Sequence, residues 1–194
     1  MISLLWIAWA TGSGKNTVIE EILRPLWFVS FRTSDMLKRE IPKKFPKITD
    51  IDWLTPTKLA QLKKIIWREN WEDCLIQLAL LDSLHEPQSI VDWLQSREEF
   101  DAIHTAGWWV ILTISDIAKS VKRALDAHKR TATVVNTSWD EIRRRIKKEK
   151  KELDCLRNNA DLVLLNNFST SESFIEYARR QITDFLEQED GWEE

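Results

Sequence analysis

Residues 2–17 read ISLLWIAWATGSGKNT and contain the pattern that decides the fold. The first seven form a short apolar run that predicts a strand covered on both faces. A glycine turn follows, and residues 15–23 then carry apolar side chains at helical spacing. A cleaved leader is the alternative, but no basic residue precedes the apolar run. The segment therefore predicts a strand, a turn and a helix in direct succession.

The turn, residues 11–17, has the composition of a phosphate-binding loop, and we call it the phosphate loop. Gly12 and Gly14 are two of only four glycines in the chain, and they let the backbone curl until successive N–H groups point inward. The following helix N-terminus adds partial positive charge. Lys15 is expected to reach the β- and γ-phosphates of a nucleotide, and Thr17 to face Mg²⁺. The predicted phosphate-binding residues are Thr11, Gly12, Ser13, Gly14, Lys15, Asn16 and Thr17.

Two positions depart from the general pattern Gly-x-x-x-x-Gly-Lys-Ser/Thr. Trp9 stands where the pattern has its first glycine, and Asn16 follows the lysine directly, where the pattern has Ser or Thr. The indole of Trp9 either pushes the loop away from a bound phosphate or stacks on a bound base. The sequence leaves both open, together with the alternative of an ordinary Gly-Ser-Gly turn before a helix.

The composition of the chain excludes several classes of protein. Of 194 residues, 43% are hydrophobic and 30% charged, which disfavours disorder and fibrous repeats. A net charge of −3 provides no general attraction to nucleic acid or to an anionic membrane. Two cysteines cannot build a disulfide framework, so a reducing, cytoplasmic setting is expected. No apolar run approaches the roughly 20 residues that span a bilayer.

Short apolar runs alternate with helical patterns along the chain. This alternation predicts an α/β fold in three layers, with a five-stranded parallel sheet and helices on both of its faces. One domain is expected over residues 1–187, followed by an acidic tail at 188–194. Strands are predicted at 2–8, 27–31, 74–81, 108–114 and 162–165, and helices at 15–23, 56–67, 138–156 and 171–186.

The Gly-x-Gly-Lys-x-Thr spacing at 12–17 resembles that of the nucleoside monophosphate kinases, and further landmarks follow in the same order. Residues 33–38 (TSDMLK) are similar to the Thr-Gly-Asp-Met-Leu-Arg segment by which adenylate kinases hold the acceptor nucleotide. Residues 80–82 (LLD) look like a strand that ends in a Walker B carboxylate. Residues 159–167 resemble the last strand of the family and its Asn-containing turn. The likeness covers nearly the whole chain and points to the archaeal branch related to adenylate, cytidylate and dephospho-coenzyme A kinases.

This resemblance implies a P-loop NTPase fold and an ATP-dependent phosphotransferase. The enzyme would move the γ-phosphoryl group of MgATP to a small nucleotide-like acceptor, with Mg²⁺ held by Thr17 and Asp82, partly through water. Lid-like helices at about 116–150 and an acceptor-binding excursion at about 33–70 are implied as well. The implied catalytic residues are Lys15, Asp82, Arg123 and Arg130. The implied acceptor-binding residues are Thr33, Asp35, Lys38 and His85.

Two other functions fit parts of the sequence. A nucleotide-binding regulatory protein without transfer activity fits the departure at Trp9, and Lys38 and His85 stand where the family has arginines. A P-loop kinase or ATPase acting on nucleic acid fits the basic run at 143–151. On a helix, however, these bases spread over the face opposite Ile142 and Ile146, which is typical of a solvated surface. Nucleic acid is therefore the less favoured partner, and no membrane partner is expected.

Overall fold

A parallel β-sheet forms the centre of the molecule. The computed structural model describes residues 4–32, 35, 38, 39, 42, 86, 88–94, 97–105, 107–130 and 139–190. Every neighbouring pair of strands in the five-stranded sheet runs parallel. The order across the sheet is β2-β3-β1-β4-β5. The strands are β1 (Leu4–Trp9), β2 (Val29–Arg32), β3 (Ser89–Leu94), β4 (Trp109–Ile114) and β5 (Leu162–Leu165).

Helical segments alternate with the strands, because parallel neighbours cannot be joined by a tight hairpin. After β1 the chain is helical through α1 (Lys15–Val18), a π-helical turn (Ile19–Leu23) and a 3₁₀ turn (Arg24–Leu26). Pro25 lies in this last turn and helps to end the helix. The other helices are α2 (Arg97–Thr105), α3 (Ile117–Arg130), α4 (Trp139–Asp154) and α5 (Ser171–Asp190).

Both faces of the central strand β1 are buried. Leu5 and Ile7 belong to an apolar layer that also contains Phe174 of α5. Trp6 belongs to a second layer, with Ile103 of α2. This double burial explains why the first strand is a continuous apolar run rather than an alternating one. The predicted three-layer α/β fold with a five-stranded parallel sheet is confirmed.

The third strand of the sheet differs from the sequence prediction. The sequence predicts it at 74–81, but the strand between β2 and β1 is Ser89–Leu94, so that prediction is wrong for this place in the sheet. Residues 74–81 themselves lie outside the described residues. The true strand, SIVDWL, is less conspicuous because Asp92 interrupts its apolar run.

The other boundaries lie close to the predicted ones. The bounds of β5 are those predicted, and α5 extends to Asp190, into the segment expected to be an acidic tail. The helix predicted at 56–67 lies outside the described residues, and α2 was not among the predicted helices. Within the described ranges, every helix is too short or too polar to cross a membrane.

Candidate active site

Two glycines give the phosphate loop its shape. Gly12 has a φ of +77° and Gly14 a φ of +102°, values that residues with a Cβ seldom adopt. A Cβ on Gly12 would lie 2.3 Å from the backbone oxygen of Ser120 in α3. A Cβ on Gly14 would lie 2.3 Å from Nδ2 of Asn166. Both positions therefore require glycine for conformational and for steric reasons.

Ser13, between the two glycines, anchors the loop to the sheet. Its N–H donates to the carbonyl of Ala10 at 3.0 Å, and its buried hydroxyl shares a 2.9 Å hydrogen bond with the hydroxyl of Thr113 in β4. The Nδ2 of Asn166, directly after β5, donates to the carbonyl of Ser13 at 2.8 Å. The loop is thus held by the carboxyl ends of two neighbouring strands.

A cavity of about 800 Å³ opens beside the loop. All seven residues of the phosphate loop line it. Gly14 is the cap residue of α1 and, having no side chain, makes no capping hydrogen bond to this helix end. The first-turn amides of a helix lack intrahelical acceptors, so they can bind an anion in the cavity. The other walls include Arg123 and Asp126 of α3, Arg145 of α4, and Ser169 and Thr170 before α5.

Lys15 and Asp92 form a largely buried ion pair at this site. The Nζ of Lys15 donates to Oδ2 of Asp92, and the two side chains are 14% and 7% exposed. Burial lowers the pKa of Lys15 and raises the pKa of Asp92, while the attraction between the two charges opposes both shifts. The register of the sheet positions Asp92, which pairs with Ile7 of β1 and with Arg32 of β2. The pairing therefore favours the charged form of each group against the cost of burial.

Arg123 joins the phosphate loop to the chain that follows β5. Its Nη2 donates to Oδ1 of Asn166 at 2.9 Å and to the carbonyl of Phe168 at 3.1 Å. Its Nη1 donates to Ser115 Oγ and the Asn166 carbonyl, both at 3.1 Å, and to the Gly12 carbonyl at 3.4 Å. Burial lowers the pKa of Arg123, but a guanidinium stays charged. The resemblance implies a lid arginine here, and these contacts place its side chain between the phosphate loop and residues 166–168.

Helix α4 reaches the site by packing on α3. Its buried residues Ile142 and Ile146 form an apolar cluster with Val121 and Ala124 of α3. On the solvent side of the basic run, the guanidinium of Arg143 lies 5.0 Å from the ring centroid of Trp139. The run at 143–151 is thus amphipathic, as the sequence indicates.

Two residues of α4 lie at the phosphate loop. Arg145 lines the cavity. Glu149 accepts a hydrogen bond from the backbone N–H of Thr11 at 2.8 Å and another from the Thr11 hydroxyl at 3.1 Å. The sequence shows the i,i+4 spacing of Arg145 and Glu149 but not that this side of the helix meets the loop, because that depends on how α4 docks.

The backbone conformation at position 9 allows a tryptophan in place of the glycine of the general pattern. Trp9 is the last residue of β1 and pairs with Thr113 of β4, so its backbone is extended. An extended residue carries a side chain without conformational cost. The first glycine of the general pattern is therefore not required by the backbone at this position.

Several predicted site residues lie outside the described part of the chain. These are Asp82, Thr33 and His85, and Arg130 ends α3 with a side chain that is not described. Asp35 is exposed, and its charge contributes to the raised pKa of Asp92. Lys38 is half-buried. Asp92 itself was not among the predicted residues, although a lone carboxylate within an apolar run was a signal for it.

Oxygen donors at the site fit a magnesium ion. Mg²⁺ prefers hard oxygen ligands, and commonly takes one or two carboxylates while keeping several waters. Thr17, which carries a hydroxyl, lines the cavity, and the Asp92 carboxylate lies beside Lys15. Across the described ranges, no three His, Cys, Asp or Glu side chains gather as a metal cluster.

Solved structures of three kinases share this fold over nearly the whole chain. A shikimate kinase from Bacteroides thetaiotaomicron has a TM-score of 0.63 at 10% identity, covering 96% of this chain and 99% of its own. A gluconokinase from Sinorhizobium meliloti 1021 has 0.59 at 15% identity, with 99% and 98% covered. A dephospho-CoA kinase from Campylobacter jejuni has 0.52 at 16% identity, with 95% and 97% covered.

The sequence itself matches no family model and no curated protein. At identities this low, the structural likeness establishes the fold alone. The chain has the three-layer α/β fold of the P-loop kinases.

Proposed function

We infer that this protein is an ATP-dependent phosphotransferase that moves the γ-phosphoryl group of MgATP to a small, nucleotide-like acceptor. One observation carries this inference: a single cavity is lined by the two-glycine loop, by the N-terminus of α1 and by Lys15, which forms an ion pair with Asp92. The three structural neighbours support it, because each is a kinase of a small molecule. The acceptor itself is a proposal from the resemblance to nucleoside monophosphate kinases.

The phosphates of ATP are expected to lie in the phosphate loop. The first-turn amides of α1 donate to phosphate oxygens, and Lys15 exchanges its contact with Asp92 for the β- and γ-phosphates. The Thr17 hydroxyl and the Asp92 carboxylate would then hold Mg²⁺, partly through water. When bound, Mg²⁺ neutralises charge on the phosphates and acts as a Lewis acid. We assign to Asp92 the role that the resemblance gives to Asp82.

The acceptor is expected on the β2 side of this pair. Arg32 lies in register with Asp92, and its charge lowers the pKa of both Lys15 and Asp92. Asp35 also acts on Asp92. Cationic groups next to the transfer point suit an anionic acceptor such as a nucleoside monophosphate. Lys38, Thr33, His85 and Arg130 keep the roles that the resemblance proposes.

Thermal unfolding with and without MgATP tests nucleotide binding. Ligand at about a hundredfold over its Kd stabilises a protein by roughly 2.7 kcal/mol, which is a shift of about 5–11 °C for a domain of this size. We expect this shift in the parent and in Lys122→Ala, whose exposed lysine on α3 lies outside the cavity lining. Lys15→Ala should lose it. No shift in the parent would contradict the inference.

Acceptor-dependent ADP release tests the transfer step. The panel contains nucleoside monophosphates, together with shikimate, gluconate and dephospho-CoA, on which the structural neighbours act. We expect ADP release with a nucleoside monophosphate and its loss in Lys15→Ala. MgATP binding without ADP release for any acceptor would instead favour a nucleotide-binding protein without transfer activity.

A further inference from the structure

Building on the proposed kinase function, we propose that Glu149 is a positioning residue for the nucleotide. It joins the phosphate loop to α4 through Thr11 and holds the guanidinium of Arg145 at the cavity. Arg145 is then the residue of the basic run that contacts the phosphates of bound MgATP. Glu149 itself acts through Arg145 and the loop rather than through the nucleotide.

Glu149 uses both oxygens of its carboxylate for contacts at the site. Oε2 accepts from the backbone N–H of Thr11 at 2.8 Å, and Oε1 accepts from the Thr11 hydroxyl at 3.1 Å. Oε1 also lies 3.6 Å from Nε of Arg145. The contact with Thr11 joins residues 138 positions apart, so it depends on the docking of α4 and not on local helix geometry.

Arg145 is placed to meet a phosphate. It lines the same cavity as the whole phosphate loop, and its ion pair with Glu149 uses Nε rather than the two terminal nitrogens. The fork of a guanidinium matches two phosphate oxygens at once. A carboxylate paired at Nε limits the rotation of this long side chain, which reduces the entropy lost when the phosphate binds.

A second ion pair on α4 provides a matched control. Lys148 and Glu152 have the same i,i+4 spacing with a separation of 3.8 Å, and their side chains are 72% and 50% exposed. Glu149 is only 22% exposed. An exposed pair of this kind contributes little to stability. The variant Glu152→Ala therefore shows how the loss of one carboxylate from α4 affects MgATP binding when that carboxylate does not contact the phosphate loop.

Whether the removal of Glu149 strengthens or weakens nucleotide binding distinguishes two roles for this residue: electrostatic repulsion of the nucleotide, and positioning of the groups that bind it. Glu149 brings a negative charge next to a loop that is expected to hold phosphates. If that charge only repelled the nucleotide, its removal would strengthen MgATP binding. If Glu149 positions Arg145 and Thr11, its removal weakens binding instead.

Isothermal titration of the purified full chain with MgATP measures this effect. Glu149→Ala should raise the Kd about tenfold, the equivalent of one charge-assisted hydrogen bond. Glu149→Gln should fall between it and the parent, because the amide oxygen still accepts from Thr11 but no longer pairs with Arg145. In an Arg145→Ala background, Glu149→Ala should change the Kd by clearly less than in the parent, since only the contact with Thr11 then remains to be lost. Glu152→Ala should bind as the parent does.

Three outcomes would overturn this role for Glu149. They are tighter MgATP binding by Glu149→Ala, binding equal to that of Glu152→Ala, or additive losses from the Glu149 and Arg145 changes. Circular dichroism and the thermal midpoint without nucleotide establish that each variant is folded, and Glu149→Gln serves as the test if Glu149→Ala does not fold. A parent that fails to bind MgATP would refute the proposed function, whereas a binding parent with unaffected Glu149 variants would refute only the positioning role.

Discussion

Lys15 and Asp92 lie 77 residues apart in the chain and form an ion pair next to the phosphate loop. The pair connects the first turn of α1 to the strand β3 that neighbours β1. Both side chains are largely buried, so the charge of each is maintained chiefly by the other. The ionisation of Lys15 should therefore depend on Asp92.

We predict that Asp92→Asn shifts the pH dependence of nucleotide binding to lower pH. In the parent, burial lowers the pKa of Lys15 below its ordinary 10.5, and the attraction of Asp92 partly offsets this. Without the carboxylate the pKa falls further, so Lys15 loses its proton and its affinity for phosphate at a lower pH. The measurement is the Kd of ADP with a chelator present, from about pH 7 to pH 10.

Because the chelator removes metal ions, Asp92→Asn cannot alter ADP binding in this experiment through the loss of a metal ligand. Asp184→Asn, an exposed position on α5, is the control and should follow the parent. Coincident pH profiles for Asp92→Asn and the parent would show that Asp92 does not maintain the charge of Lys15.

Alanine at three glycines should separate backbone strain from steric conflict. Gly107 has a φ of +76°, and apart from its chain neighbours no atom of the described residues lies within 4 Å of the point that a Cβ would occupy, so Gly107→Ala should lower the free energy of unfolding by about 1 kcal/mol. Gly12→Ala adds a collision with the backbone oxygen of Ser120, and an overpacked site costs about 1–3 kcal/mol more. Urea denaturation measures all three free energies.

Gly14→Ala should resemble Gly12→Ala and should also lose the thermal shift with MgATP, because its Cβ meets Asn166 and Phe174. Gly107→Ala should retain that shift. If all three substitutions lowered the free energy of unfolding equally, close packing around the phosphate loop would contribute nothing to the loss of stability.

Arg123→Lys should destabilise the protein although it preserves the charge. A lysine has three donors on one nitrogen and cannot reproduce the planar fork that reaches Asn166, Phe168 and Ser115. We expect the free energy of unfolding to fall by about 2 kcal/mol. Arg144→Lys, at an exposed position on α4, should change it by less than about 0.5 kcal/mol.

A double-mutant cycle of Arg123→Lys and Asn166→Ala tests whether Arg123 stabilises the fold through its contact with Asn166. Because Arg123 donates to Oδ1 of Asn166 at 2.9 Å, the two changes should be less than additive. Additive losses in urea denaturation would show that Arg123 stabilises the fold through other contacts.

Trp27→Gly is expected to stabilise the protein. Trp27 follows the last helical turn before β2 with a φ of +68°, and its side chain is 83% exposed. Glycine removes the cost of the left-handed conformation, about 1 kcal/mol. Its greater freedom in the unfolded chain offsets part of this, which leaves a gain of about 0.5 kcal/mol in the free energy of unfolding by urea.

Trp139→Gly is the comparison for this prediction. Trp139 begins α4 and its ring contacts the guanidinium of Arg143. Glycine would lose this contact and gain freedom in the unfolded chain, so the effect should have the opposite sign. A loss of stability in Trp27→Gly would show that its indole makes contacts that outweigh the backbone strain.

The sequence by itself determined the phosphate loop, because the signals for it are local. Two glycines, a lysine and the flanking apolar runs lie within residues 2–23, and the observed strand, loop and helix follow that order. The strand β5 and the helix α5 were predicted for the same reason, since their periodicities are contained within each segment.

The partners that complete the site were decided only by the tertiary structure. The position of Asp92 beside Lys15 depends on which apolar run pairs with both β1 and β2. The sequence of a single segment says little about which distant strand it will pair with. Glu149 reaches Thr11 only because Ile142 and Ile146 pack on α3. Periodicity specifies which face of a helix is buried, but the surface that this face meets is fixed when the helices and the sheet pack together.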